Sequence, residues 1–326
     1  MDQNQVDLDE FRGARVLVTG ASGFIGAHLT RSLVAHGARV GVLLRPSGSL
    51  AKLQPLLEHI EVVRADLCDE QALEQAVARI RPRYAFHMAA FTNVDRDRGN
   101  DELALTVNLT GTVRLLNFLA DNKVTRIVNS GSCEEYGDMS SAITETAAPH
   151  PVSPYSVSKA AATMWCEMVY RTRGVPVVTM RPFLGYGPEQ EAVRLIPQAI
   201  LAALQDREFP MTLGEQTREF TYVDDVVDGY LRAALVPGID GEIFNLSSGE
   251  ENLVRDAVDL IFRLAGSQGK PLFGALPYRS AELWRCCGDA SKARDQLGWR
   301  PKTPFAQGIA SVIPWYREAL RNGQLI

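Results

Sequence analysis

The sequence lacks the features that mark nucleic-acid-binding and membrane proteins. It has 34 Lys and Arg against 39 Asp and Glu, a formal net charge of −5, and no long basic run. Binding to nucleic acid or to an anionic membrane surface draws much of its affinity from clustered positive charge, so neither partner is expected. No uninterrupted apolar stretch reaches the roughly 18 residues of a membrane span, which argues against insertion into a membrane.

Cysteine is also sparse and unpatterned. The chain has five cysteines, an odd number, and no CxxC or Cys/His spacing of the kind that binds a metal. We therefore expect neither a disulfide framework nor a metal site, and reduced thiols favour a cytoplasmic protein. The polar, acidic start MDQNQVDLDEF has no signal-peptide pattern and is expected to be a loose leader.

The first half of the chain alternates between short apolar runs and longer amphipathic segments. Six runs are predicted to be strands, namely ARVLVTG, ARVGVLL, HIEVVRADL, RYAFHMAA, TRIVNSGS and VPVVTMRP. Strands that are almost continuously apolar, with helices between them, indicate a parallel sheet covered on both faces. The predicted fold class is therefore α/β, a doubly wound parallel (Rossmann) sheet that binds ligands at the carboxyl ends of its strands.

After Pro182 this rhythm changes. Glycine and proline cluster in GYGP, and the segments that follow are shorter. We predict a smaller α/β substrate-binding lobe at the carboxyl end. The predicted division assigns residues 1–182 and about 218–249 to the dinucleotide-binding domain, and about 183–217 and 250–326 to the lobe.

The segment TGASGFIG joins the first predicted strand to the first predicted helix and carries Gly20, Gly23 and Gly26. In this context glycine allows a tight turn, lets a pyrophosphate approach the helix amino terminus, and permits close packing. The alternative is an ordinary strand–helix turn, because the spacing is GxxGxxG rather than GxGxxG. We predict a dinucleotide site here, which also includes Ser22, Phe24 and Ile25.

Other cofactor contacts are expected at the ends of the next strands. NAD-binding proteins usually have an acidic residue after the second strand, whereas this chain has Arg45 in LLRPSG. An arginine can pair with a 2′-phosphate, which favours NADP(H) over NAD(H). Asp66 could accept a hydrogen bond from the adenine amino group. The remaining predicted contacts are Leu67, Ala89 and Ala90.

The segment PVSPYSVSKAA contains a candidate catalytic pair. Ser153 can cap a helix whose first turn includes Pro154, and Tyr155 and Lys159 then lie on one helix face. An ammonium close to a phenol favours the phenolate and lowers its pKa, so the pair can exchange a proton with an alcohol or ketone. Ser132, which follows the fifth strand, could hydrogen-bond the same substrate oxygen.

The strand-four end HMAAFTNVDRD also reaches this edge. It carries Thr92 and Asp95 on a polar loop, and we expect His87 to pack or to bond backbone rather than to catalyse.

At this point the chain resembles the extended short-chain dehydrogenase/reductases, specifically the nucleotide-sugar epimerase/dehydratase/reductase group. The motifs that carry the resemblance occur in the family's order along nearly the whole chain: TGASGFIG, HMAA, NLTGT, SCEEYG, YSVSK, RPFLGYGP, REFTYVDDVVDGYL and LGWRPKTPFAQGI. The resemblance implies that Tyr155 is the acid/base, that Lys159 lowers its pKa and holds the nicotinamide ribose, and that Ser132 positions the sugar oxygen. It also implies that Arg218 and Arg279 hold the diphosphate of a nucleotide sugar.

Two departures from the family pattern bear on the reaction. Leu184 stands where the family has an asparagine, and Cys133 stands before Glu134, where dehydratases usually have an acidic or hydroxyl residue. The resemblance implies that Glu134 would take the C5 proton in a 4,6-dehydratase, while VDR at Val94–Arg96 also resembles dehydratases. The favoured reading is an NADPH-dependent NDP-4-keto-6-deoxyhexose 4-ketoreductase.

Three alternatives stay open at this stage. They are an NDP-sugar 4-epimerase, an NDP-hexose 4,6-dehydratase that uses Glu134 as base, and a non-catalytic NADP-binding sensor. The resemblance further implies a homodimer through a four-helix bundle of the helices at Leu103–Asp121 and Tyr155–Arg171. Its apolar face would include Leu109, Leu116, Met164 and Met168, which could equally belong to the core.

Overall fold

The structure, a computed structural model, describes residues 6–94, 98–279 and 282–323. Asp95 and Arg96 of the predicted polar loop lie outside these ranges. The helices and strands up to Pro182 are β1 (Arg15–Thr19), α1 (Phe24–Ala35), β2 (Arg39–Leu44), β3 (Ile60–Arg64), α2 (Glu70–Ile80), β4 (Tyr84–His87), α3 (Asp101–Ala104), α4 (Gly111–Asp121), β5 (Arg126–Ser130), α5 (Pro154–Arg173) and β6 (Val177–Pro182).

The rest of the chain continues with shorter strands and five further helices among the described residues. These elements are β7 (Leu184–Tyr186), α6 (Leu195–Leu204), β8 (Phe209–Met211), β9 (Thr217–Tyr222), α7 (Val223–Leu235), β10 (Ile243–Leu246), β11 (Glu251–Leu253), α8 (Val254–Ala265), β12 (Pro271–Phe273), β13 (Arg285–Cys286), α9 (Ser291–Leu297) and α10 (Phe305–Arg321). All six strands predicted in the first half are present.

The larger sheet has seven strands in the order β10-β6-β5-β4-β1-β2-β3. Each neighbouring pair is parallel, which confirms the predicted doubly wound fold. The strand order reverses between β1 and β4, where Thr19 pairs with His87. Ligands of such sheets bind outside the carboxyl ends of the strands at this reversal, so it gives the expected position of the site.

Successive residues of a strand point to opposite faces of its sheet, and β1 supplies the core on both sides. Val16 and Val18 pack with residues of α1 and α7, whereas Leu17 packs with α2, α4 and α5. All three side chains are fully buried. Because both faces are covered by helices, the inner strands are almost entirely buried.

The smaller lobe has its own sheet and core. β9 pairs with β7, β11 and β13, and β8 pairs with β12. The helices α6, α8 and α10 surround a second buried cluster. Two segments lie differently from the predicted domain division: β9 belongs to the smaller sheet, and α9 packs through Ala293 and Leu297 on the core of the larger one. Both placements depend on contacts between segments that are far apart in the chain.

The helical segment Arg98–Asp121 is continuous and is long and apolar enough to cross a membrane by length and composition, with a most apolar window of mean hydropathy 1.3. Core helices of globular proteins meet the same criterion, and 39% of that window is buried inside the protein. The predicted helix at Leu103–Asp121 is interrupted by a π-helical turn over Leu105–Thr110. Such turns occur frequently at functional sites, and this one directs Asn108 inward.

Candidate functional site

The glycine loop lies between β1 and α1, at the reversal of strand order. Gly20 has φ +67°, and a Cβ there would come within 2.5 Å of the Ala89 nitrogen. A Cβ at Gly26 would overlap the carbonyl oxygen of Gly20. The loop itself therefore requires both glycines. A Cβ at Gly23 would lie 3.2 Å from its nearest atom, the carbonyl oxygen of Gly20. Packing within the loop is therefore a weaker reason for glycine at this position.

The amino terminus of α1 is open to an anion. Gly23 is the N-cap residue and offers no side-chain cap, and the first turn, which includes Phe24 and Ile25, carries no acidic residue. The unpaired amide groups and the dipole of a helix start favour a negative charge. Ser22 is half-buried beside this turn. The residues present thus fit the pyrophosphate of a dinucleotide.

The predicted adenosine contacts lie at the ends of β2 and β3. Arg45 is exposed, and its carbonyl and that of Pro46 accept hydrogen bonds from Nη1 of Arg64 at 3.4 and 2.8 Å. Asp66 is half-buried, and its Oδ1 accepts from the Cys68 amide at 2.9 Å. Leu67 is buried against Gly111. At the end of β4, half-buried Ala89 and Ala90 border the glycine loop.

Ser132 begins a short 3-10 helix, Cys133–Tyr136, directly after β5. Its Oγ accepts a hydrogen bond from the Glu134 amide at 3.2 Å, and its own amide donates to Oε1 of Glu135 at 2.8 Å. These reciprocal bonds form a capping box. The side chain of Ser132 is buried and also hydrogen-bonds Tyr155, so the structure brings these two predicted residues together.

Tyr155 and Lys159 lie in the first turns of α5, as predicted from the Ser153 cap and Pro154. The Ser153 side chain accepts from the Ser156 amide at 3.1 Å. Lys159 is buried, and its Nζ donates to the carbonyl oxygen of Ser130 at the end of β5. One helix face and the end of β5 thus meet at the carboxyl edge of the large sheet.

Burial governs the protonation of this pair. It raises the pKa of the Tyr155 phenol, against the hydrogen bond from Ser132, which lowers it. The phenol is therefore less acidic in the unliganded protein than the YxxxK pattern predicts, because loss of solvation outweighs the stabilisation of the phenolate. Burial also lowers the pKa of Lys159 to about 8, while the nearby Glu135 carboxylate raises it.

Glu134 and Cys133 have different surroundings although they are neighbours. Glu134 is partly exposed and close enough to Tyr155 to raise the pKa of its phenol. The Cys133 side chain is buried in a small apolar cluster with Cys286 and Phe183, and its thiol contacts that of Cys286. This contact and burial raise the pKa of the Cys133 thiol well above its usual value. Cys133 therefore offers no acid beside Glu134.

The predicted substrate residues other than Ser132 are divided between the smaller lobe, which carries Arg218 and Arg279, and the larger domain, which carries Thr92. Arg218, on β9, donates to Oε1 of Glu282 at 2.9 Å and to the carbonyl of Thr217 at 2.7 Å. Arg279 is exposed, as is Thr92 on the loop after β4. Leu184, in place of the family's asparagine, is the first residue of β7. Arg218 is thus held by an acidic side chain that the sequence did not single out.

Three buried polar residues near the site were missed by the sequence analysis. Asn108 donates to Ser158 Oγ at 2.8 Å and exchanges hydrogen bonds with the backbone of Phe91. Glu219 accepts from the Ser247 hydroxyl and from two loop amides, and burial raises its pKa. Glu135 could have been found from the capping-box pattern Ser-x-x-Glu, and Asn108 from the NLTGT motif.

His87 lies deep in the sheet and away from catalysis, as expected. Its ring nitrogens contact the hydroxyls of Thr19 at 2.8 Å and Thr112 at 2.9 Å. Burial lowers its pKa to about 3, so the ring is neutral. Its partners are side chains rather than the backbone that was predicted.

Comparison with known proteins agrees with this geometry. A family model described as GDP-mannose 4,6 dehydratase matches residues 17–312. A UDP-glucose 4-epimerase of Mycolicibacterium smegmatis is 33% identical over 314 residues, 93% of this chain and 98% of its own length. A dTDP-glucose 4,6-dehydratase of Streptomyces niveus is 30% identical over 316 residues, 93% of each chain.

Among solved structures, the dTDP-glucose 4,6-dehydratase DesIV of Streptomyces venezuelae, with NAD and TYD bound, superposes with a TM-score of 0.84. It is 30% identical, and the match covers 93% of this chain and 97% of that one. Since the family model spans most of the chain and the motifs recur in order, the resemblance is confirmed. The chain belongs to the GDP-mannose 4,6 dehydratase family and is an enzyme of the nucleotide-sugar group of the extended short-chain dehydrogenase/reductases.

Proposed function

We propose that this enzyme reduces the 4-keto group of an NDP-4-keto-6-deoxyhexose, with NADPH as the favoured hydride donor. The observation that carries the proposal is the contrast between two neighbouring positions. Ser132 reaches Tyr155 at the strand edge, whereas the Cys133 thiol is turned into an apolar cluster with Cys286. The site therefore holds the groups for proton transfer at C4 and lacks an acid at position 133 for elimination.

The protonation of Tyr155 supports the direction of the reaction. Because burial raises its pKa, the phenol carries its proton at neutral pH, and this is the form that can donate to a ketone oxygen. Ser132 would hydrogen-bond the same oxygen. The Lys159 ammonium would stabilise the phenolate that remains on Tyr155 until the phenol regains a proton from solvent. Bound nicotinamide dinucleotide would supply the hydride at C4.

The cofactor preference rests on Arg45. The related Streptomyces structure holds NAD, which supports a nicotinamide dinucleotide as the cofactor. The preference for NADP over NAD is part of this proposal alone. Arg45 is exposed at the end of β2, where its guanidinium is free to reach a 2′-phosphate. Glycine-loop residues would hold the pyrophosphate, and Asp66 would face the adenine.

The substrate end would be bound by the smaller lobe. Arg218 and Arg279 would hold the diphosphate, because guanidinium groups bind phosphate oxygens in pairs, and Thr92 would contact the sugar from the opposite side. On binding, the phosphate would take over the Arg218 guanidinium from Glu282, 2.9 Å away.

Two other reactions have specific support. The Mycolicibacterium relative is a 4-epimerase, and epimerisation would use the same Ser132, Tyr155 and Lys159. The Streptomyces relatives are 4,6-dehydratases, and the partly exposed Glu134, which acts on the Tyr155 phenol, would be the C5 base of that reaction. Dehydration is the less favoured of the two, because position 133 offers a sequestered thiol.

The test is the product formed from each of several nucleotide sugars, followed by ¹H NMR with and without NADPH. The proposal predicts a 4-hydroxy product that needs added NADPH and a 4-keto-6-deoxy substrate. A C4 epimer formed without added cofactor would contradict the proposal and identify the enzyme as an epimerase. A 4-keto-6-deoxy product from an NDP-hexose would contradict it and identify the enzyme as a dehydratase. Cofactor binding without turnover of any sugar would favour the non-catalytic sensor.

We also propose a homodimer in the cytoplasm. Apolar side chains are exposed on α3, on the π-helical turn and on α5, including Leu103, Leu105, Val157 and Met164, which is 61% exposed. Leu116, predicted for this face, is instead buried in the core, while Leu109 and Met168 are half-buried. All five cysteines are free thiols, which supports a reducing compartment. A monomer in sedimentation analysis would exclude the dimer.

A further inference from the structure

Glu135, next to the proposed catalytic loop residues, is completely buried. Its neighbour Glu134 is partly exposed, whereas Glu135 has no exposed surface at all. Its carboxylate lies directly against Gly131, since a Cβ at that glycine would come within 2.6 Å of Oε1. A carboxylate is costly to bury unless it is paired and hydrogen-bonded, so its partners matter.

The partners of this carboxylate come from three separate elements. Oε1 accepts from the Ser132 amide at 2.8 Å and from Thr163 Oγ1 of α5 at 3.1 Å. Oε2 accepts from Nε of Arg181, on β6, at 2.8 Å, and lies 2.7 Å from its Nη2. One buried group thus joins the loop that carries Ser132, the helix that carries Tyr155 and Lys159, and the sheet.

Stability alone does not account for this arrangement. A buried ion pair is often no more stabilising than apolar side chains of the same volume, because desolvation offsets its attraction. Apolar residues would supply neither a fixed acceptor for the Ser132 amide nor a negative charge near Lys159. The Glu135 side chain supplies both.

We propose that Glu135 is a positioning residue, which fixes Ser132 relative to the helix that carries Tyr155 and Lys159 and balances the charge of the Lys159 ammonium. This inference rests on the proposed function, because that function assigns the three residues their roles. Glu135 itself touches no reacting atom.

The surroundings of Lys159 show why the charge matters. Its Nζ donates to the Ser130 carbonyl at the end of β5. Among the described residues, the titratable groups that interact electrostatically with Lys159 are His87, Cys166 and Glu135. The His87 ring on β4 is neutral, and Cys166 on α5 is a thiol whose pKa is raised by burial. Glu135 is the carboxylate of the three. Glu135 is the group that most favours the ammonium, against the burial that disfavours it.

The experiment compares Glu135→Gln with Asp240→Asn. Glutamine keeps the size of the side chain and an acceptor oxygen but removes the charge. The control breaks another ion pair of a buried arginine, Arg126 Nε to Asp240 Oδ1 at 2.7 Å, at the opposite end of β5. Both variants leave an arginine without its carboxylate, so both should unfold at lower temperature.

The first readout needs no substrate. The chain has six lysines, so NMR of lysine-labelled protein can follow the titration of Lys159, assigned with Lys159→Met. Removal of a nearby opposite charge should lower its midpoint by about one pH unit in Glu135→Gln, and Asp240→Asn should leave it unchanged. An unchanged midpoint in Glu135→Gln would overturn the charge-balancing role, whether or not any sugar is turned over.

The second readout uses turnover. Glu135→Gln should lower kcat about tenfold or more with KM within about twofold. The single amide oxygen cannot accept from both the Ser132 amide and Arg181, and positioning acts on the chemical step. The alkaline limb of its pH profile should move down with the Lys159 midpoint. If both variants lose only thermal stability, Glu135 is merely structural and the proposal is wrong. Should Glu135→Gln not fold, Glu135→Gln/Arg181→Met removes the pair without an orphaned charge and must give the same shifts.

Discussion

The large-sheet side and the smaller-lobe side of the candidate site hold their polar groups in different ways. On the side of the large sheet, Ser132 and Lys159 are buried, and each is hydrogen-bonded within the protein. On the side of the smaller lobe, Arg279 and Trp284 are exposed, and Arg218 is paired with Glu282 at the rim. On the proposed function, the sheet side would be the preorganised reacting side, and the lobe side would present charges that a ligand can engage.

The comparison implies a division of labour. Changes on the sheet side should act mainly on kcat and on protonation, because the groups there are fixed by the fold. Changes on the lobe side should act mainly on KM, because those groups gain their partners on binding. The following predictions test this division, from the largest expected effect to the smallest.

Tyr155→Phe should lower kcat by about 10³-fold, because general acid–base groups contribute on this scale. The ring remains, so the protein should stay folded. The matched control is Tyr170→Phe, which removes the hydroxyl of a partly exposed tyrosine on the same helix. Steady-state kinetics with the accepted nucleotide sugar provide the measurement, and a kcat within a few-fold of wild type would remove Tyr155 from the proton transfer.

Lys159→Met should make the folded protein more stable at pH 7, by about 2–3 kcal/mol or roughly 10²-fold in the folding equilibrium. Burial lowers the pKa of Lys159 from 10.5 to about 8, so the folded state binds this proton less tightly than the unfolded state. The resulting penalty is complete below pH 8 and disappears as pH rises to 10.5.

Urea unfolding at pH 7 and pH 10 measures this effect. The advantage of Lys159→Met should shrink between the two, whereas Lys270→Met, at a lysine with a 69% exposed side chain, should have no such trend. A difference that is equal at both pH values would contradict the buried-ammonium account.

Arg218→Met should raise KM for the nucleotide sugar about 30-fold and leave kcat within about threefold, because a charge-assisted hydrogen bond contributes about 1.5–3 kcal/mol. Arg263→Met, at an exposed arginine of α8 in the same lobe, is the control. Isothermal titration with the nucleoside diphosphate alone isolates the contact. A loss confined to kcat would place Arg218 on the reacting side.

Arg45→Glu should weaken NADPH binding about tenfold more than NADH binding, because it sets a carboxylate against the 2′-phosphate. Arg39→Glu, at the opposite end of β2, makes the same charge change away from the site. Fluorescence titration with both cofactors gives the ratio. Equal losses for the two would mean that Arg45 does not recognise the phosphate.

Features that depend on residues close together in the chain could be predicted from the sequence, and features that depend on distant residues could not. The six strands of the first half could be predicted because each is short, apolar and bounded by a helix. Gly20 could be predicted because its strained turn is local. β9 could not be assigned, since its partners β7, β11 and β13 come from distant parts of the chain. For Leu116 both an exposed apolar face and a core position stayed open, because helical spacing alone does not distinguish the two.

The amino-acid sequence by itself determined the order of strands and helices, the glycine loop after β1, and the stacking of Tyr155 and Lys159 one turn apart. These features depend on residues that are near each other in the chain. Only the tertiary structure decided that Glu135 is buried while Glu134 is partly exposed, and that Cys133 turns toward Cys286. Those choices depend on Arg181, Thr163 and Cys286, which approach the loop only when β6, α5 and β13 are packed.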